Sequence, residues 1–276
     1  MKIALAIAPQ DAEPASFVVY RDRLDIVIPK TAALGYDGVE LALGSPGDVD
    51  VAAVAGLLAE HRMGISAVST GRVFSERRAW LTSADPAVRE RATRLLCGLV
   101  DVAATLGAAR VNIGRVRGPI PDDEPFAVAE ARFVAGIREV AEHAAPHGIN
   151  LVIEPVNRYE LNYINSVDPE GIALIRRIAH PNVKLMPDSF HMNIEDVSIA
   201  DSILAAGSLV GYCQLADSNR WAPGHGHTDF EPIIAALRTI GYDDWVALEM
   251  LPFPSADEAA VQAIRYLRAL IPVTAG

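Results

Sequence analysis

The chain is poor in cysteine and in positive charge, and each shortage excludes something. Only Cys97 and Cys213 occur in 276 residues, both inside apolar stretches, which excludes a disulfide framework and fits a reducing compartment. Lys and Arg number 24 against 35 Asp and Glu, for a formal charge of −11. Tight binding to nucleic acid or an anionic membrane draws on basic residues, so neither is expected as a partner. No uncharged apolar run is long enough to span a bilayer. The first residues form a strand-like run, Lys2-Ile3-Ala4-Leu5-Ala6-Ile7, without a signal-peptide layout, and a cytoplasmic protein is the expectation. No glycine-rich fingerprint follows that run, which removes the Rossmann reading.

What is present is a repeating alternation. Half the residues are apolar, dominated by Ala, Val, Leu and Ile, as a parallel sheet buried on both faces requires. Short apolar runs predict strands at Ile3–Ala8, Gly38–Leu43, Ile65–Thr70, Arg110–Ile113, Ile149–Glu154, Val183–Asp188, Val210–Gln214 and Trp245–Glu249. Between them lie amphipathic helical patterns such as Arg89–Leu106, Phe126–Ala145, Pro169–Ile178 and Phe230–Ile240. Glycines at 35, 107, 148 and 241 punctuate the helix ends. Eight such units without a composition break predict an α/β fold, a single-domain (β/α)₈ TIM barrel over residues 1–276, with an open doubly wound sheet as the alternative.

Chemistry in a barrel of this kind sits at the C-terminal strand ends. In order, the last four predicted strands end in Glu154, Asp188, Gln214 and Glu249. A buried carboxylate is costly alone, and three converging carboxylates repel one another; one divalent cation relieves both. The oxygen-rich set favours Mn²⁺, Mg²⁺ or a similar hard ion over a structural Zn²⁺. Each acid taken singly could instead be a loop residue or a helix N-cap. His191 lies one helical turn beyond Asp188, Arg220 in the loop after strand 7 and Glu160 in the loop after strand 5. All three belong above the same strand ends.

The stretches Ile153-Glu154-Pro155-Val156-Asn157-Arg158-Tyr159-Glu160, Pro187-Asp188-Ser189-Phe190-His191 and Ala216-Asp217-Ser218-Asn219-Arg220, with Pro223-Gly224 and the final Glu249, resemble the xylose-isomerase-like family of sugar isomerases and epimerases. The likeness is to its ketose 3-epimerase and keto-gluconate epimerase groups. It implies that Glu154, Asp188, the strand-7 residue and Glu249 bind one metal, usually Mn²⁺. It also implies that Glu154 and Glu249 form the proton-transferring pair, and that Glu160, His191 and Arg220 hold substrate oxygens. Relatives are commonly dimers or tetramers, so a homo-oligomer is expected, acting on a small sugar or sugar acid. One position departs: the epimerases usually carry His on strand 7, and this chain has Gln214. The hydroxypyruvate-isomerase-like branch is similar in having Gln there.

The implied reaction is deprotonation and reprotonation beside a carbonyl, through an enediolate. Arg220, Arg115 and Arg117 could offer a fork to a carboxylate, or the latter two could be a solvated pair. Gly71 through Leu81 has the length and aromatic content of a cover that excludes water, moving or static. Three other functions remain: a hydroxypyruvate-isomerase-like aldose–ketose isomerase, a phosphodiester hydrolase of the AP-endonuclease branch, and a non-catalytic sugar-binding barrel. The hydrolase needs more histidines than strands 3 and 4 supply, unless His225 and His227 build a second metal site.

Overall fold

In the computed structural model, residues 1–14 and 17–272 are described; residues 15–16 and 273–276 of the expected 1–276 barrel lie outside them. The eight predicted strands are all present: β1 (Lys2–Ala8), β2 (Gly38–Ala42), β3 (Gly64–Ser69), β4 (Arg110–Ile113), β5 (Asn150–Ile153), β6 (Val183–Leu185), β7 (Cys213–Leu215) and β8 (Trp245–Leu248). They form one parallel path in the order β6-β5-β4-β3-β2-β1-β8-β7. Two parallel bridges, Leu185 to Val210 and Asp188 to Gln214, join its ends and close the barrel. The open-sheet alternative is thereby removed. A two-residue strand, Tyr20–Arg21, adds to the end of β1 and was not expected.

Strand boundaries moved in a way that matters for the site. The run Val210–Gln214 predicted a strand ending on Gln214, but β7 is Cys213–Leu215, so Gln214 lies at its middle. Glu154 and Glu249 each stand one residue past their strands, and Asp188 three residues past β6. The expected Pro169 start of the sixth helix is an irregular turn over Val167–Gly171, with regular helix only from Ile172 to Ile178.

The helices pack outside. Pro86–Leu106 stops at Gly107 in the left-handed conformation, which an L side chain enters only at a cost. The C-terminal helix Ala256–Leu270 buries Ala259, Ala260, Ala263, Ile264 and Leu267 against the barrel exterior. Among the described residues no helix is long and apolar enough to cross a membrane.

The N-terminal mouth of the barrel is plugged. Trp245 at the start of β8 lies over Gly38 and Gly64, the first residues of β2 and β3; a Cβ at either would meet its ring at 2.6 or 2.7 Å. Above it Ala4, Ala67, Val152, Met186, Tyr212 and Ala247 form an inner cluster. Small residues from β1, β3 and β8 are what leave room for Trp245 and Tyr212. With that end filled, the C-terminal end is where a substrate can enter.

Candidate active site

One cleft opens at the C-terminal strand ends, and Glu154, Glu160, His191, Arg220 and Glu249 line it together. Asp188 and Gln214 are buried beside one another through the bridge that closes the barrel. All seven residues expected at the site therefore converge, from β5, β6, β7, β8 and the loops that follow.

Each oxygen is placed by an identifiable contact. Asp188 caps the helix Ser189–Glu195: its Oδ1 accepts from the Phe190 N–H at 2.7 Å, while its buried Oδ2 has no hydrogen-bond partner. Gln214 donates from Nε2 to Glu40 Oε1 at 2.6 Å, and its buried Oε1 likewise has none. His191 Nδ1 accepts from the backbone N–H of Asn157 at 3.3 Å and faces the Asn157 amide nitrogen at 2.8 Å. The ring proton then belongs on Nε2, which points at Glu154 Oε1, 3.3 Å away. Asn112 donates to Glu154 Oε2 at 3.4 Å.

Arg220 ties the second glutamate to the loop acid. Its Nη2 donates to Glu249 Oε2 at 2.8 Å and its Nη1 to Glu160 Oε1 at 2.6 Å. The guanidinium lies between the rings of Phe17, at 3.6 Å, and Phe190, at 4.7 Å. Its own backbone is left-handed (φ 62°), held by the N–H of Leu251 on its carbonyl.

Burial governs the protonation of this cluster. It pushes Asp188 up to about 7, against the lowering effect of His191. Glu154 and Glu249 are raised for the same reason, although Arg220 pulls both back down. Burial lowers His191 and favours its neutral form, against the raising effect of Asp188. Glu160 is the exception: burial raises it, but Arg220, His191 and Arg115 together hold it below the usual carboxylate range. Without a counter-charge, burial disfavours the charged form of each ring acid.

A divalent cation fits these donors. Ligand oxygens of Glu154 and Asp188 lie within 4.8 Å of one another, with His191 beside them, and Asp188 and Gln214 each present a buried, unpartnered oxygen. Unpaired buried oxygens are costly, and a hard cation is the group that satisfies several at once.

Sequence and fold together match a known family. The family model for the xylose isomerase-like TIM barrel covers residues 28–270. The chain belongs to that family. It is 35% identical over 234 residues to the L-ribulose 3-epimerase of Methylomonas sp. (strain DH-1), covering 80% of this chain and 76% of that one. It is also 35% identical over 234 residues to the D-psicose 3-epimerase of Agrobacterium fabrum (strain C58 / ATCC 33970), covering 80% and 77%. Among solved structures, D-allulose 3-epimerase from Methylomonas sp. in complex with D-allulose superposes with a TM-score of 0.79 at 28% identity, covering 98% of each chain. Like these relatives, the chain is an isomerase-class enzyme.

Against that family background, several side chains take roles their sequence positions do not announce. Arg117 is no carboxylate fork: it is fully buried and donates to the carbonyls of Gly114, Glu154, Tyr163 and Ile164. It thereby ties the β4 and β5 loops together beneath the cleft. Arg115 does line the cleft, over the ring of Phe17. The segment from Gly71 to Leu81 is pinned as a cover: Arg72 is buried on Asp48, Glu76 and the Ala42 carbonyl. Farther on, Leu81 and Thr82 donate to the carbonyls of Val116 and Arg117.

Among the described residues, His225 and His227 join no cluster of metal-ligating side chains. His227 bonds Ser218 Oγ and His225 packs on Trp221. Asp217, adjacent to β7, organises that loop instead. Burial opposes its charge, but the N–H groups of Thr228, Gly226, Ser218 and Gly224 hold its carboxyl below the usual range. The cluster of glycines around it was the available signal. Glu40 lies inside the apolar strand Gly38–Ala42, and its single clue was an acid in a run that should be buried on both faces.

Proposed function

We propose that the protein is a divalent-metal-dependent epimerase of ketose sugars that inverts a carbon beside the carbonyl, with Glu154 and Glu249 as its proton-transferring pair. The observation that carries this reading is the placement of buried Glu154 and part-buried Glu249 on one cleft. They come from β5 and β8, three strands apart around the barrel, next to two unpartnered ligand oxygens. A base on each side of a substrate carbon is what inversion requires. The relatives named above are 3-epimerases, which supports C3 as the carbon.

Glu154, Asp188, Gln214 and Glu249 would hold the cation, with Mn²⁺ the best match to four oxygen donors and Mg²⁺ or Co²⁺ as substitutes. When bound, it supplies Lewis-acid stabilisation of the negative charge that develops on the substrate carbonyl oxygen. The chain supplies the rest. One glutamate takes the proton and the other returns one from the opposite face. Burial has already moved both toward the range where a carboxyl gives and takes protons near neutral pH. His191 presents its Nε2–H, and Glu160 its carboxylate, to substrate oxygens. Arg220 acts through Glu249 and Glu160, since both of its terminal nitrogens are engaged by them.

Of the three arginines, Arg117 is committed to carbonyls and Arg220 to carboxylates, while Arg115 lines the cleft over Phe17. The relatives named above are epimerases of L-ribulose and D-psicose, neutral ketoses, which supports a neutral ketose as substrate. Gln214 keeps a second reading alive, an aldose–ketose isomerase of the hydroxypyruvate-isomerase-like kind.

One experiment separates them: deuterium wash-in from solvent, followed by NMR, over ketohexoses, ketopentoses, keto-gluconates and hydroxypyruvate with Mn²⁺. Exchange at C3 of a ketose with formation of its epimer is expected. Glu154→Gln and Glu249→Gln should each remove turnover by about three orders of magnitude or more while leaving the melting temperature near wild type. Near-normal turnover in either variant defeats the two-glutamate mechanism. Aldose formation instead of a C3 epimer defeats the epimerase assignment.

A further inference from the structure

We infer that Glu40 is a positioning residue that fixes which end of the Gln214 amide turns toward the cation ring. The inference rests on the metal reading above and adds a residue which that reading does not use. Glu40 lies on β2 and Gln214 on β7, three strands apart around the barrel, so their contact is made across its interior. Glu40 is completely buried. Its Oε1 accepts from Gln214 Nε2 at 2.6 Å and its Oε2 from the Tyr212 hydroxyl at 2.7 Å. The Tyr212 hydroxyl is itself 2.7 Å from Ser66 Oγ, which also reaches the Val39 carbonyl at 3.2 Å. Both carboxyl oxygens are thus fixed, and the group does not line the substrate cleft.

A glutamine amide has a donor end and an acceptor end of nearly equal shape. A hard cation accepts only the oxygen end. Flipping Gln214 would turn its NH₂ toward the ring and set its oxygen against the Glu40 carboxyl. In the observed arrangement the donor end is spent on Glu40, and the oxygen end is the atom left buried without a partner. A neutral strand-7 ligand thus depends on an acceptor behind it, and Glu40 Oε1 is that acceptor; a proton on the carboxyl belongs on Oε2, toward Tyr212.

The test is Mn²⁺ titration of the metal-free protein by calorimetry, with metal-free melting temperatures measured alongside. Glu40→Met should weaken Mn²⁺ binding by about 10- to 100-fold, the usual effect of losing such an outer partner. Glu40→Gln, which keeps the packing but allows either amide orientation, should give a smaller loss. In a Gln214→Ala background Glu40→Met should add almost nothing, because its effect passes through the amide that is gone. The exchange pair Glu40→Gln with Gln214→Glu restores a donor against an acceptor, and should recover affinity to within about tenfold of wild type. An unchanged affinity in both Glu40 variants overturns the inference alone. So does an equal loss with and without Gln214, since that marks a general structural effect. If Glu40→Met does not fold, Glu40→Gln and the exchange pair decide. A wild-type protein that binds no Mn²⁺ overturns the metal reading and this inference together.

Discussion

Metal-free protein should lose stability as pH rises from about 6.5 to 8.5, the reverse of a protein whose carboxylates are salt-bridged. The cause is the buried acids. Glu40 has its carboxyl pushed up to about 8 by burial, with Glu249 adding to it, against an ordinary value of 4.5. A folded pKa above the unfolded one means that between the two values the native state holds a proton the unfolded chain has released. That contribution is complete below the unfolded pKa and is lost as pH climbs through the folded one. Over the roughly 1.5 pH units below its folded pKa, at about 1.4 kcal/mol per unit, Glu40 alone removes about 2 kcal/mol. Asp188, near 7, and the raised Glu154 and Glu249 act in the same direction. His191, lowered by burial, acts oppositely, but its effect is nearly complete above pH 6.5. A chain of this size shifts its melting temperature by about 2–4 °C per kcal/mol, so a fall of at least roughly 4–8 °C is expected by calorimetry in chelator-treated protein. Saturating Mn²⁺ should flatten the fall, because the cation binds the deprotonated ring and stabilises the fold more as pH rises. A metal-free melting temperature that stays level or rises over this window refutes the argument. A fall of the same size with Mn²⁺ present refutes its link to a cation.

Other substitutions probe the cleft and its supports. Gly114→Ala would bring a Cβ to 2.2 Å from Glu154 Oε2; displacing that carboxyl should cut kcat/KM by about 100-fold with little change in melting temperature. Steady-state kinetics beside thermal denaturation checks it, and equal effects on both would contradict it. Arg117→Met removes one donor from each of four buried carbonyls and leaves those of Glu154 and Tyr163 without one. It should cost at least about 3 kcal/mol in urea unfolding. Arg220→Met removes the positive charge that lowers both Glu249 and Glu160. The acid limb of the kcat/KM profile should then move to higher pH by about one unit, and a limb that does not move would show that neither glutamate titrates in turnover.

Much of the fold was legible because a parallel barrel writes itself locally. Strands buried on both faces read as apolar runs, and glycines such as Gly107 and Gly148 mark where helices must stop. Glu154, Asp188 and Glu249 stood out because a carboxylate ending an apolar run has few inexpensive explanations. Strand limits were less legible. β7 shifted by one to three residues from its predicted limits because barrel closure, made there by the bridge between Asp188 and Gln214, decides which residues pair.

What the tertiary structure alone decided are the contacts between residues remote in the chain. Glu40 meets Gln214 across 174 positions, and Arg220 meets Glu160 across 60. Arg117 and Arg115 are identical in type and two residues apart, yet one is spent on buried carbonyls and the other lines the cleft. Local sequence determined the alternation of strand and helix, and the placing of acids at strand ends, because periodicity and terminal position are local properties. Which oxygens are left unpartnered at those ends depends on how eight strands close on one another, and that is what fits the cluster to a cation.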